Sequence, residues 1–273
     1  MRKMTINDVQ QVSLNILKDV HEFCVENNIR YSLCGGTLIG AMRHNGFIPW
    51  DDDVDLIMPK PDYDRFVRSY ISKNGYKLFS PEVKGNEEVR LRISKVCDMK
   101  LTAVKQDYYA WTDIETGVGI DIIPAIGAPS TEREARKFIK QYLTYACLLN
   151  CYRVSLASKE FIENKRLPEK LLFLIKRLVG NCIGERSIEK IIEFQKKYDF
   201  DKAQYFCGGF RYGFGEWQPK NIFDELILHK FEDGEFLITS RYDEYLKCLF
   251  GNYMELPPEE QRVSHDFYGY YWK

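Results

Sequence analysis

Four aspartates, Asp51, Asp52, Asp53 and Asp55, crowd the head of an apolar run formed by Val54, Leu56, Ile57 and Met58. Carboxylates at the start of a buried strand are costly unless something cationic neutralises them. Residues two apart on a strand share a face. Asp53 and Asp55 therefore project together, while Val54 and Leu56 turn toward a core. Two carboxylates held that close repel unless a cation binds between them. Mg²⁺ suits such a place, since it takes oxygen ligands and keeps phosphates and water as its other partners. A third acid, Asp121, stands alone in the apolar stretch Gly119–Pro124. If the two strands lie side by side, Asp121 completes a three-carboxylate site.

Just upstream, an expected strand (Tyr31–Cys34) runs into Gly35, Gly36 and Thr37. A glycine pair lets backbone N–H groups approach a phosphate closely, and a helix start favours an anion. Arg43 and His44 follow and have the chemistry to hold a diphosphate. Trp50, next to the acids, is a candidate stacking surface. Each residue also has a plainer reading: an acidic turn in water, a glycine turn, a surface ion pair for Arg43, a structural role for His44, and core packing for Trp50. A calcium-binding loop with ligands at Asp51, Asp53 and Asp55 is excluded, because Leu56 stands where that loop needs glycine. The residues describe a site for a divalent cation and a phosphate-bearing substrate.

Such a site needs elements to hold it. Thr5 and Asp8 form a capping signal, and the apolar spacing that follows predicts a helix to about Asn28. Strands are expected at 31–34, 53–58, 76–80, 89–97 and 118–123, and Pro61 opens a helix with Phe66, Val67 and Tyr70 on its apolar side. Residues 131–200 are amphipathic and charged, and read as helices. Tyr205–Phe210 is a strand or loop near the site. Residues 227–231 and 235–239 flank Asp233 and Gly234, a hairpin signal, and a helix from Arg241 to Phe250 ends at Gly251. The fold class is α+β: a mixed β-sheet core over residues 1–128, flanked by helices, and a mainly helical C-terminal half (129–273) carrying substrate-binding elements.

The chain has 273 residues, 45% hydrophobic and 29% charged, the balance of a globular protein. Its net charge of −1 gives no basic field for nucleic acid. The first residues contain no apolar signal segment, so the expected location is cytoplasmic. Eight cysteines without a paired spacing are expected to be reduced thiols. Residues 165–179 place Lys165, Arg166, Lys170, Lys176 and Arg177 beside Leu171, Leu172, Phe173, Leu174, Ile175, Leu178 and Val179. That segment either rests on the inner face of an anionic membrane or packs into the core with its charges in water.

The run Cys34–Ala41, followed by Arg43, His44 and Ile48–Asp55, resembles the LicD family. The resemblance extends through Tyr63, Phe66, Gly119–Pro124 and Tyr242–Met254, and so covers most of the chain. Characterised members of that family transfer phosphocholine, and relatives in the fukutin-related group transfer ribitol phosphate. The resemblance implies a nucleotidyltransferase-like core, with Gly35 and Gly36, then Asp53 and Asp55, then Asp121 matching the glycine pair, the Asp-x-Asp and the third acid in order. It implies Mg²⁺, or Mn²⁺, on those three acids and a CDP-alcohol donor, CDP-choline first. The acceptor would be a hydroxyl of a cell-surface glycan precursor, lipid-linked and of the teichoic acid or lipopolysaccharide type, with CMP leaving. Asp121 would bind the metal that activates the acceptor or act as its base. Trp111, Tyr212, Trp217 and Trp272 are candidates for an aromatic box around choline. Two rivals stand beside this reading: a nucleotidyltransferase adding NMP to a small molecule or sugar, and an Asp-x-Asp glycosyltransferase. The second rival should carry a nucleotide-binding strand before the acids, where a glycine pair and a short helix stand instead.

Overall fold

Thr5 opens the first helix through a reciprocal cap: its hydroxyl accepts the Asp8 N–H at 3.2 Å, and the Asp8 carboxylate accepts the Thr5 N–H at 2.8 Å. Helix α1 (Ile6–Glu26) follows and stops at Asn27. The structure is a computed structural model that describes residues 1–83, 89–106, 111–156, 166–264 and 268–273. Lys165 of the basic segment lies outside the described residues.

The central sheet runs in the order β2 (Ser32–Leu33), β3 (Asp55–Pro59), β7 (Gly119–Ala128), β5 (Ser94–Cys97) and β4 (Lys77–Phe79). β3 and β7 are parallel, and the other neighbours are antiparallel. Leu56, Met58, Ile120 and Ile122 are fully buried, so the apolar alternation around the acids does fill a core. Helices α1 and α3 (Lys60–Ser69) pack on β7. α3 carries Pro61 in its first turn, where a missing N–H costs nothing.

β7 is longer than expected and continues past Asp121. Its second half, from Ile126 to Ala128, pairs with β8 (Tyr205–Cys207), which pairs in turn with β9 (Trp217–Pro219). The expected helical region forms α4 (Glu132–Ser155), α5 (Leu167–Ile183) and α6 (Arg186–Gln195). α4 and α6 share an aromatic core in which the Tyr142 and Phe210 rings stack at 3.7 Å.

Beyond residue 200 the mainly helical half also carries strands. Hairpin β10 (Leu226–Phe231) and β11 (Gly234–Thr239) is present, followed by α7 (Tyr242–Phe250) with Gly251 at φ +65°. The hairpin turn sits one residue earlier than its sequence signal. Gly234 pairs with Phe231, and Glu232, at φ +55°, occupies the loop beside Asp233. A three-stranded sheet of β1 (Arg2–Lys3), β12 (Tyr268–Trp272) and β6 (Thr102–Gln106) was not foreseen, because its pairings join segments more than 150 residues apart. All eight cysteines lie among the described residues and none is paired.

Candidate active site

Asp55 opens β3, and the parallel register sets it opposite Asp121 on β7. The antiparallel register of β5 sets Lys95 on the other side of Asp121. One row of the sheet therefore reads Asp55, Asp121, Lys95. The Lys95 ammonium contacts the Asp121 carboxylate, both side chains about four-fifths covered. The ladder reaches back one residue, where Asp121 N–H donates to the Val54 carbonyl at 2.8 Å.

Burial pushes the Asp55 carboxyl well above the usual carboxylate range, and the charges of Asp53 and Asp121 push it further. Lys95 pulls the other way. Asp53 stands two residues before Asp55, just ahead of the strand's first residue. Asp52 is buried. Gln10 on α1 holds this turn by donating to the Asp51 carbonyl at 2.8 Å.

Helix α2 (Gly35–His44) starts against the same acids. A Cβ on Gly36 would lie 2.7 Å from Oδ2 of Asp51, and one on Gly35, at φ +54°, would lie 3.2 Å from Oδ2 of Asp55. Only glycine admits that approach, and the positive end of the helix faces the carboxylates. Thr37, expected beside the donor phosphate, also braces the acids. Its buried hydroxyl accepts the Asp55 N–H at 2.9 Å, which fixes where the acidic strand begins.

Arg43 and His44 sit at the far end of α2, roughly 12 Å along its axis from Gly35 at 1.5 Å per residue. Arg43 donates to the carbonyls of Tyr253 and Glu255, each at 3.2 Å, and its Nε donates to His44 Nε2 at 3.0 Å. Burial and Arg43 both lower the His44 pKa. Arg43 and Trp50 line a separate cavity of about 500 Å³ with Ile39, Phe250 and Pro257, and the Arg262 guanidinium lies 5.6 Å from the Trp50 ring. The cavity and the acids are joined by the Ile48–Asp51 turn. The expected single cluster of glycines, acids, Arg43, His44 and Trp50 is thus two adjoining places.

Of the four aromatic candidates, only Tyr212 meets the acids. It lines a recess with Asp55, Arg211, Glu216 and Tyr245. Trp111 is buried against Phe79, Trp217 stacks on Tyr205, and Trp272 belongs to the β12 sheet. Glu216 is almost fully covered, accepts the Arg211 and Tyr212 N–H groups, and is pushed up by burial. Neither Lys95 nor Glu216 was singled out from the sequence. Neither stands in a recognisable motif, and only the sheet register or the loop fold brings it to the site.

Among the described residues no three of His, Cys, Asp and Glu are gathered as a ready metal-binding set. The three acids are not drawn into one closed shell, because Asp121 is engaged by Lys95. The donor chemistry still fits a hard cation. Mg²⁺ commonly takes one or two protein carboxylates and completes its shell with water and substrate phosphate, and a carboxyl raised by neighbouring acids is one that a cation relieves.

Comparison with known proteins gives the family. The family profile described as "LicD/FKTN/FKRP, nucleotidyltransferase domain" matches residues 28–145, the span that holds α2, the acids and β7. The chain is 32% identical over 275 aligned positions, 97% of each sequence, to the lipopolysaccharide cholinephosphotransferase LicD of Haemophilus influenzae. It is 27% identical over 143 residues, half of this chain and 12% of the other, to mannosyltransferase regulator 4 of Saccharomyces cerevisiae. The chain belongs to the LicD family and is a phosphotransferase of the LicD type.

Proposed function

We propose that the enzyme transfers phosphocholine from CDP-choline to a hydroxyl of a lipopolysaccharide-type glycan and releases CMP. The end-to-end likeness to a cholinephosphotransferase carries this reading. The row of Asp55, Asp121 and Lys95 supplies the chemistry.

Asp53, Asp55 and Asp121 are the residues that would hold Mg²⁺, or Mn²⁺, whose charge when bound offsets that of the donor diphosphate. The bare start of α2 at Gly35 and Gly36 leaves room for phosphate oxygens beside backbone N–H groups. Lys95 adds a positive charge in the same row for the transferring phosphoryl group. Asp121 would either bind the metal that activates the acceptor hydroxyl or, once Lys95 shifts to the phosphoryl group, take that hydroxyl's proton. Choline presents a quaternary ammonium that cannot donate a hydrogen bond. The rings of Tyr212 and Tyr245 with the Glu216 carboxyl are a surface that suits it.

The test is product analysis. The protein is incubated with Mg²⁺, lipopolysaccharide and a panel of CDP-alcohols, and products are identified by mass spectrometry. One CMP released per phosphocholine added to the glycan is expected. Pyrophosphate release from CTP, with CDP-choline untouched, would establish the nucleotidyltransferase alternative instead.

A further inference from the structure

Helix α5 packs on α4 through the side that carries Gly180, where an added Cβ would meet the Cys151 carbonyl at 2.1 Å. At 3.6 residues per turn, Leu167, Leu171, Leu174, Ile175 and Leu178 fall on the side turned away from Gly180. They are exposed to 84, 61, 45, 50 and 67% respectively. A surface helix of a globular protein turns its apolar stripe inward. α5 turns its stripe outward, so the core-packing reading of this segment does not hold. Lys170 and Arg177 border the stripe on one side, while Lys176 falls near Gly180 on the side toward α4. Glu169 is the only acid between Arg166 and Ile183.

We propose that α5 is the surface through which this protein docks on an anionic lipid bilayer. The helix lies in the plane of the interface, with its leucines at the acyl boundary and Lys170 and Arg177 against headgroup phosphates. Among the described residues no helix is long and apolar enough to cross a membrane, so this contact is peripheral. A second copy of the chain is a poorer occupant. Two such faces would set the same basic residues against each other, with a single Glu169 per copy to offset them. An anionic bilayer answers both the apolar stripe and its positive border. The inference stands apart from which group the enzyme transfers.

Co-sedimentation of the full chain with vesicles of phosphatidylethanolamine and phosphatidylglycerol tests it, with phosphatidylcholine vesicles as the neutral arm. Binding to the anionic vesicles is expected at low salt, at least about tenfold stronger than to neutral ones, each basic residue contributing about fivefold. Lys170→Glu with Arg177→Glu should remove that advantage, and Leu171→Ser with Leu178→Ser should abolish binding. These leucines are exposed, so the variant should melt like the unaltered chain by circular dichroism. Should it misfold, Leu174→Trp in the otherwise unaltered chain decides: a blue shift of its emission on anionic vesicles supports the proposal, and an unshifted emission overturns it. No binding to anionic vesicles, or equal binding by both double variants, also overturns it. So does a chain that dimerises through this face, shown by sedimentation velocity, while ignoring vesicles.

Discussion

Asp55 and Asp121 stand opposite each other across the parallel strands β3 and β7, and the charge of Asp121 helps to raise the carboxyl of Asp55. A sheet seldom sets two acids side by side in a covered row without a use for their charge. The pairing costs stability in the protein alone and becomes favourable where positive charge is bound.

Asp55→Asn should separate stability from function. A carboxyl whose pKa is raised by folding stabilises the fold below its ordinary titration range and loses that contribution as pH rises through the raised value. At neutral pH, with a chelator present, the asparagine variant should therefore melt higher than the unaltered protein. Its turnover should fall by about a thousandfold, since the metal's charge stabilisation is worth several kcal/mol. The same loss of turnover is expected for Asp53→Asn. Thermal melts and initial rates check both effects, and near-normal rates would remove the acids from the mechanism.

Lys95→Met leaves Asp121 without the ammonium beside it in the sheet. The variant should lose roughly 2 kcal/mol, or several degrees of melting temperature, in the presence of a chelator. Saturating Mg²⁺ should recover most of that loss, because an ion bound at the same acids takes over the neutralisation. Melting curves with and without Mg²⁺ read the difference. A deficit that Mg²⁺ leaves untouched would mean the metal does not reach Asp121.

Gly36→Val puts a branched side chain where even a Cβ would meet Asp51 Oδ2 at 2.7 Å. The Asp51 side chain must move, so the helix should survive while donor affinity drops at least about tenfold. Calorimetry with CDP-choline and Mg²⁺ measures it. Unchanged affinity would reduce the glycine pair to a turn.

His21 should set an acid limit on stability. Tyr31 Oη accepts the Leu237 N–H at 3.3 Å and shares a hydrogen bond of 2.7 Å with His21 Nδ1. Burial lowers the pKa of the ring. A histidine lowered by folding stabilises above its unfolded pKa, near 6.5, and the contribution fades as pH falls below that value. The melting temperature should therefore decline below about pH 6.5, and His21→Leu should flatten that slope. A slope of equal steepness in the variant would place its origin elsewhere.

The sequence by itself determined the local pieces of this protein. The cap at Thr5 and Asp8, the α2 start at Gly35, the apolar alternation around Asp53 and Asp55, and the lone acid in Gly119–Pro124 are all set by neighbours within a few residues. Period and turn chemistry act over that range, and so they were legible. The long shared motif reached the family for the same reason. Only the tertiary structure decided which charges meet. Lys95 joins Asp121 because β5 pairs with β7, and Glu216 reaches Asp55 because a loop 160 residues away folds over the strand. Arg43 and His44 leave the acids because a helix carries them a further two turns along its axis. Strand order and helix length in space cost entropy over long separations and leave no periodic trace in the chain. The outward leucines of α5 show the limit most plainly: composition made the helix amphipathic, and only the packing of Gly180 on α4 decided which side water sees.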